Sequence, residues 1–395
     1  MTVTGGIVNG GIGNVVDVVG LLESLVTIDS QNPSLQPDSP GEGPLARYVG
    51  EWLQRHGIDV SLHEALPDRP NVVATLPGST GAPTLLFEAH LDTVPCPPGG
   101  IGLRREGDRL HGRGTCDTKA SLAAMMAALV DLAERDQPRA TVVLAGVVDE
   151  EFTMHGAAAL VDSLPPVLGA VIGEPTSLLP IRAHNGFMRV KLHAHGRAAH
   201  SSKAHLGQNA VVDASRAIVA LADSLGEDLR TRGGHRLIGP ALLTPTMVRG
   251  GIAPNVVPDS CEVTLDRRLA PGEQVHDALD ELRAAIEAVP AEGTLCLGEP
   301  AIGLPGVETA ADHPLVVMLT KAIAEVVGEE HEAGGVPYST DACRLGGVGG
   351  IDCVVFGPGS IDQAHTDNEW VDLREVEQAV PILVRLAELA GDVAS

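Results

Sequence analysis

Four short apolar runs punctuate the chain: TLLFEA (84–89), TVVLAGVV (141–148), AVIG (170–173) and CVVF (353–356), rich in β-branched residues and bounded by polar residues or glycine. Continuous apolar runs of this length are what parallel strands buried on both faces require. Between the first two, the spacing predicts a helix over about 119–135. The strand–helix–strand order then predicts a mostly parallel α/β sheet with right-handed crossovers. Upstream, Val15, Val18, Val19, Leu22, Leu25 and Val26 share one face of a helix that Asn14 is placed to cap. A second amphipathic helix is predicted from Pro44 to His56, with Gly57 as its stop.

From about Phe187 to Gly298 the pattern changes. FMRVKLHAHG and CEVTLDRRL alternate apolar and polar residues with period two, and helical spacing recurs over 207–224 and 273–289. An inserted α+β domain is expected there, spanning 187–298, with 1–186 and 299–395 forming one discontinuous domain around it. The βα pattern resumes at His313–Val327 and closes with a helix over about 373–389.

A length of 395 residues suits about two domains, and 44% apolar against 20% charged residues gives enough apolar surface to offset chain entropy. With aromatic residues at 2%, the core must be built from Val, Leu, Ile and Ala. The 52 acidic and 27 basic side chains leave a net charge of −25, with no Lys/Arg run and no aromatic stacking platform. That balance argues against nucleic acid as a partner and against an anionic membrane surface. The start, MTVTGGIVNGGIGNVV, has no basic n-region or continuous apolar h-region, and no stretch reaches eighteen apolar residues; a cytoplasmic protein is expected. Six cysteines, Cys96, Cys116, Cys261, Cys296, Cys343 and Cys353, form no CxxC pair, as expected of reduced thiols.

The polar residues fall where the buried runs end. TLLFEA empties into His90-Leu91-Asp92, the second run into Asp149-Glu150-Glu151, AVIG into Glu174, and CVVF leads through Gly357-Pro358-Gly359 to His365. Ligands of open α/β sheets bind at the carboxyl ends of the strands, so these side chains should meet in one crevice. Asp117, in the glycine-flanked loop GRGTCD before a helix, joins them, although on its own it reads equally well as a helix N-cap. Histidines with carboxylates and no thiolate suit a divalent ion, Zn²⁺ above all. There are more acids than one ion requires, and two ions bridged by a carboxylate would use them. Of Glu150 and Glu151, one can be a ligand and the other a proton-transfer base. The spacing His90-x-Asp92 lets Asp92 receive the free imidazole N–H. Without a metal, such an acidic cluster in a crevice would be costly.

The segments EAHLDTVP, GRGTCDTKAS, DEEFTMHGA, GEPT, GRAAHSS, PNVVPDSCEVTLDRR and FGPGSIDQAHTDNEWV together resemble, in order and spacing, the dinuclear zinc amidohydrolase and metallopeptidase family of acetylornithine deacetylase, succinyl-diaminopimelate desuccinylase, aminoacylase and glutamate carboxypeptidase. The resemblance runs from about Val15 to Leu389. It implies a zinc-hydrolase α/β domain with an inserted ferredoxin-like lid that also serves dimerisation. It makes Asp117 the bridging carboxylate, with Glu151 and His365 on one ion and His90 and Glu174 on the other. Asp92 becomes the partner of His90, Glu150 the general base, and Asp117–Thr118 a cis peptide. His200 in GRAAHSS corresponds to the histidine that reaches the neighbouring subunit's site to stabilise the oxyanion, which implies a homodimer. Asn255 and Arg268 correspond to the polar pair that meets the substrate carboxylate, with Arg267 the alternative if the register shifts by one. Gly359, in the loop Gly357–Ser360, is expected to present backbone N–H to substrate.

The implied reaction is metal-dependent hydrolysis of the amide of a small-molecule N-acyl amino acid with a free carboxylate. The run GPGSIDQAHTDNEWV is nearest to acetylornithine deacetylase and its relatives, so an N-acetyl amino acid is the first expectation. Desuccinylase-like or carboxypeptidase-like action on acyl-amino acids or dipeptides is the alternative. The segment Tyr338-Ser339-Thr340-Asp341 departs from the desuccinylase pattern. A silent metal-binding scaffold is disfavoured because Glu150, dispensable for holding metal, is present. The same ligands accept Co²⁺ or Mn²⁺. His63, His155, His184, His193, His195 and His205 match no motif and are expected to be surface or packing residues.

Overall fold

The computed structural model describes residues 16–97, 100, 102–135 and 139–392. Asn14 and Val15 lie outside them. The first helix, α1 (Val18–Thr27), is capped by Asp17, whose carboxylate accepts the Gly20 N–H at 2.9 Å. Helix α2 (Gly43–Arg55) carries Pro44 in its first turn, and Gly57 beyond its end has φ +77°, a conformation that glycine adopts without steric cost.

The chain forms two units. One holds the described residues through Pro180, Ala311–Ala333 and those from Val354 on. Its strands are β1 (Asp59–Leu66), β2 (Arg69–Leu76), β3 (Thr84–His90), β6 (Thr141–Val147), β7 (Gly169–Ile172) and β18 (Cys353–Val355), in the order β1-β2-β6-β3-β7-β18. The pairs β3–β6 and β3–β7 are parallel, as the apolar runs predict, and the edge hairpin β1–β2 is antiparallel. Between β3 and β6 runs α3 (Lys119–Glu134), buried on nearly every side and packed on α1 and on α9 (Leu373–Asp392). A helix apolar all round belongs inside a core, and Leu122, Met126 and Leu129 pack there with Leu22, Val376 and Leu383. Helices α4 (His155–Val161) and α8 (Pro314–Val327) complete this unit with a small sheet of β4 (Arg104–Glu106), β5 (Arg109–His111) and β19 (Trp370–Asp372).

The other unit comprises Ile181–Ala310 and Gly334–Cys353. Its strands β9 (Gly186–His195), β11 (Leu242–Gly250), β13 (Ser260–Leu269) and β14 (Thr294–Leu297) pair antiparallel in the order β11-β13-β9-β14. With α5 (Ala210–Leu221) and α7 (Val275–Glu287), the succession is βαββαβ, the ferredoxin-like arrangement. Helix α5 continues through a π turn at Ala222–Gly226 into α6 (Glu227–Thr231). Leu192, Leu221, Val263 and Leu282 form its core. Strands β10 (Ala199–His200) and β12 (Val256–Val257) pair separately, and β15 (Ile302–Leu304) extends along β9. This unit reaches beyond 187–298 because β8 (Ile181–His184) pairs with β16 (Val307–Glu308) and with β17 (Gly334–Val336). Pairings so distant in sequence leave no local signature.

Candidate active site

The ends of the parallel strands β3, β6 and β7 and the loop after β18 do converge. Asp117 is the centre of the group. Its Oδ1 lies 2.9 Å from His90 Nε2 and its Oδ2 lies 3.1 Å from His365 Nε2. Glu174 Oε1 is 3.8 Å from the His90 nitrogen, and Glu151 Oε1 is 3.1 Å from that of His365. Ligand atoms of His90, Asp117 and Glu174 all lie within 4.8 Å of one another, as do those of Asp117, Glu151 and His365 and those of His90, Glu150 and Glu151. Two overlapping nests of nitrogen and oxygen donors thus share one carboxylate. Imidazole nitrogens and carboxylate oxygens at this spacing fit divalent metal ions.

Several contacts hold the cluster. The loop carrying Asp117 turns at Gly114, whose φ is +81° and where a Cβ would come within 2.8 Å of the Thr93 side chain. Glu369, fully buried, accepts the N–H groups of Cys116 and Asp117 at 2.9 and 3.1 Å and is paired with Arg113 at 2.7 Å. The Asp117–Thr118 bond is cis, and the Thr118 hydroxyl donates to the Gly173 carbonyl. After β6, Asp149 takes φ +71° and is held by Arg69 at 2.9 Å and Asn32 at 3.1 Å, while Arg69 is itself forked by Glu42. That turn presents Glu150 and Glu151.

Electrostatics mark the cluster as cation-seeking. Burial lifts Glu174 well above the usual carboxylate range and lifts Glu151 as well, and the neighbouring charge of Asp117 adds to both. Burial alone would also lift Asp117, but hydrogen bonds from His365 and His90 outweigh it and hold its carboxyl below the usual range. His365 is pushed up to about 11 by its hydrogen bonds to Asp117 and Glu151. Crowded acids that cannot all ionise comfortably are relieved when cations replace the protons.

Two expectations are corrected. The His90 ring is oriented by the main-chain oxygen of Asp92, 2.9 Å from Nδ1, and not by its carboxylate, 3.7 Å away. That carboxylate instead accepts the N–H groups of Glu150 (3.0 Å) and Glu151 (3.1 Å) and the amide of Asn32 (2.7 Å). Gly359 does not offer its N–H to a ligand, because that N–H donates to Glu375 at 2.7 Å. Glycine is required there by φ +84° and by Cys116 Sγ, which a Cβ would approach to 2.6 Å.

In the second unit, His200 is exposed, and its Nδ1 accepts from Ser202 N at 3.2 Å. Asn255 is exposed, and its carbonyl accepts the Ser201 N–H at 2.9 Å. Arg268 is partly exposed, bonded to Asp266 at 2.8 Å, with its guanidinium 6.0 Å from the Phe187 ring centre. Arg267 is wholly buried and paired with Glu273 at 2.8 Å, which removes it as the alternative to Arg268. Asn32, Glu42, Arg69, Arg113, Asp149 and Glu369 went unassigned from the sequence. Asn32, Glu42 and Arg69 act through bonds between segments distant in sequence, whereas Arg113, Asp149 and Glu369 stand inside the segments GRGTCDTKAS, DEEFTMHGA and FGPGSIDQAHTDNEWV without a role that the sequence alone assigns.

The model of peptidase family M20/M25/M40 matches residues 86–389. The acetylornithine deacetylase of Vibrio cholerae is 32% identical over 385 residues, covering 92% of this chain and 96% of its own. Among solved structures, the M20 family metallo-carboxypeptidase Sso-CP2 of Sulfolobus solfataricus superposes with a TM-score of 0.78 at 17% identity, over 95% of this chain and 99% of that one. A dinuclear metal binding peptidase of the M20 family from Bacillus subtilis gives a TM-score of 0.69 at 17% identity, over 95% and 97% of the two chains.

Proposed function

The chain belongs to peptidase family M20/M25/M40, and from that premise we propose that it is a metal-dependent hydrolase that removes the acetyl group of an N-acetyl amino acid. The observation that carries the reading is the sharing of Asp117 by two ligand groups, with Glu150 beside them. In this proposal His90 and Glu174 would hold one ion, Glu151 and His365 would hold the other, and Asp117 would serve both. Zinc is the first choice, and cobalt or manganese suits the same donors. Such ions, when bound, would polarise a scissile carbonyl and acidify water.

The remaining chemistry belongs to the chain. Glu150 takes a proton from the attacking water and passes it to the leaving amine, so that water and amide become carboxylic acid and amine. Asp92 fixes the backbone on which Glu150 and Glu151 stand. His200 supplies an N–H to the oxyanion, acting across a homodimer, and Asn255 with Arg268 takes the free carboxylate. A guanidinium fork suits that carboxylate. The acidic net charge suits a cationic side chain such as ornithine's.

The test is turnover of N-acetyl, N-succinyl and N-glutamyl amino acids by metal-stripped protein with and without Zn²⁺ or Co²⁺. Metal-dependent acetate release, fastest from N-acetylornithine or a basic analogue, is expected. Preference for succinyl or dipeptide substrates would replace the deacetylase reading. No turnover with two metals bound would overturn it.

A further inference from the structure

We propose that the open face of the second unit's sheet carries a separate transition-metal site, formed by His193, His195 and Cys296 with Glu262 as the orienting partner of His193. Along β9, Met188, Val190, Leu192 and Ala194 are buried, while Arg189, Lys191, His193 and His195 lie on the opposite face. In register, His193 stands opposite Glu262 of β13 on one side and Cys296 of β14 on the other. Directly opposed residues of antiparallel strands share a face, with Cβ atoms about 5 Å apart. His195 follows on the same face, and the two imidazoles are stacked with centroids 6.2 Å apart and planes at 12°.

The second bond of a metal-binding histidine is foreshadowed. His193 Nδ1 is 3.9 Å from Glu262 Oε2, and the other oxygen of Glu262 is held by Lys191 Nζ at 3.0 Å. An imidazole whose Nδ1 faces a carboxylate is aligned to coordinate through Nε2. Next to that nitrogen the chain places Gly298, where even a Cβ would remain 3.8 Å away. His195 and Cys296 are exposed, so their side chains can rotate toward the His193 nitrogen without disturbing the core. Two imidazoles and a thiolate with one open position is a borderline-soft set that selects Zn²⁺ or Co²⁺ over Mg²⁺ or Ca²⁺. On ligation Cys296 releases its thiol proton to solvent. The ion would tie β9 to β14 across the open face. This site stands apart from the deacetylase reading, because its donors include sulfur and the Asp117 cluster has none.

That difference supplies the test. Co²⁺ is titrated into metal-stripped protein under a non-chelating phosphine reductant, and bound metal and the near-ultraviolet thiolate-to-cobalt charge-transfer band are followed. One equivalent beyond those bound by the Cys296→Ser protein is expected, together with a band that Cys296→Ser abolishes and His193→Gln weakens at least tenfold in cobalt affinity. Amide hydrolysis by both variants should match the parent protein. Absence of the band at saturating Co²⁺, or a band undiminished in Cys296→Ser, would overturn the proposal.

Discussion

The main-chain oxygen of Asp92 receives the Nδ1 of His90 at 2.9 Å, while the carboxylate of the same residue reaches across to the N–H groups of Glu150 and Glu151 at 3.0 and 3.1 Å. One residue therefore holds two sides of the cluster by separate atoms. Its backbone sets the ring at the end of β3, and its side chain sets the acidic turn after β6.

Asp92→Asn should for this reason leave His90 in place and disturb Glu150 and Glu151. The replacement amide turns an N–H toward a backbone N–H that it cannot accept. A fall in kcat of about 10–100-fold is expected, the usual scale for an outer partner of a metal cluster. Metal content by atomic emission should fall by no more than the one ion that Glu151 is proposed to hold. Loss of both ions would mean that His90 is displaced as well and would return the orienting role to the carboxylate.

Glu150→Gln removes the proposed base while keeping size and hydrogen-bonding capacity. A fall in kcat of about 10²–10⁴-fold is expected, the range for general acid–base groups, with metal stoichiometry unchanged. Intact turnover would remove Glu150 from the mechanism and leave the two ligand groups without their proton carrier.

The parts of this arrangement legible in the sequence were those encoded locally. The apolar runs that became β3, β6, β7 and β18, and the acids and histidines directly after them, carry their signal within a few residues, because a buried parallel strand and the chemistry at its end are contiguous. The edge hairpin β1–β2 was missed, since Asp59–Leu66 is largely exposed and has no apolar run. Glu369 was missed for another reason. It contacts Asp117 from 252 residues away, and nothing in EWVD distinguishes a carboxylate that holds a loop from one in water. At Asp92 the contact with His90 is made by the main-chain oxygen and not by the expected carboxylate, a distinction that depends on backbone direction after β3.

Arg267 and Arg268 are neighbours on β13 with opposite environments, and their variants should separate cleanly. Arg267 is fully buried against Glu273 and Glu281. Arg267→Met removes the buried partner of those carboxylates, which keep Arg232 as a second, more exposed cation, and should cost about 3 kcal/mol in urea unfolding, the lower end for a broken buried pair. Arg268 is partly exposed and bonded to Asp266. Arg268→Met should cost less than about 1 kcal/mol and instead raise KM for N-acyl amino acids with little change in kcat. An unchanged KM would remove Arg268 as the carboxylate partner.

His184 makes the stability of the second unit depend on pH. Its Nδ1–H donates to the Asn185 carbonyl at 2.9 Å and its Nε2 accepts from the Thr340 hydroxyl at 3.0 Å, a pair of bonds that is complete only for the neutral ring. Burial lowers its pKa from 6.5 to about 4. Above pH 6.5 the ring is neutral whether the chain is folded or not, and its full contribution to stability is present. Between pH 6.5 and about 4 the unfolded chain binds a proton that the folded chain refuses, so stability falls as pH falls. The slope is about 1.4 kcal/mol per pH unit, for a total of about 3 kcal/mol. Below pH 4 both states are protonated and the loss levels off. Urea unfolding from pH 7 to pH 4 should give a curve that is shallower by about that slope in His184→Gln than in the parent. Parallel curves would mean that the ring takes up a proton in the folded protein as readily as in the unfolded chain.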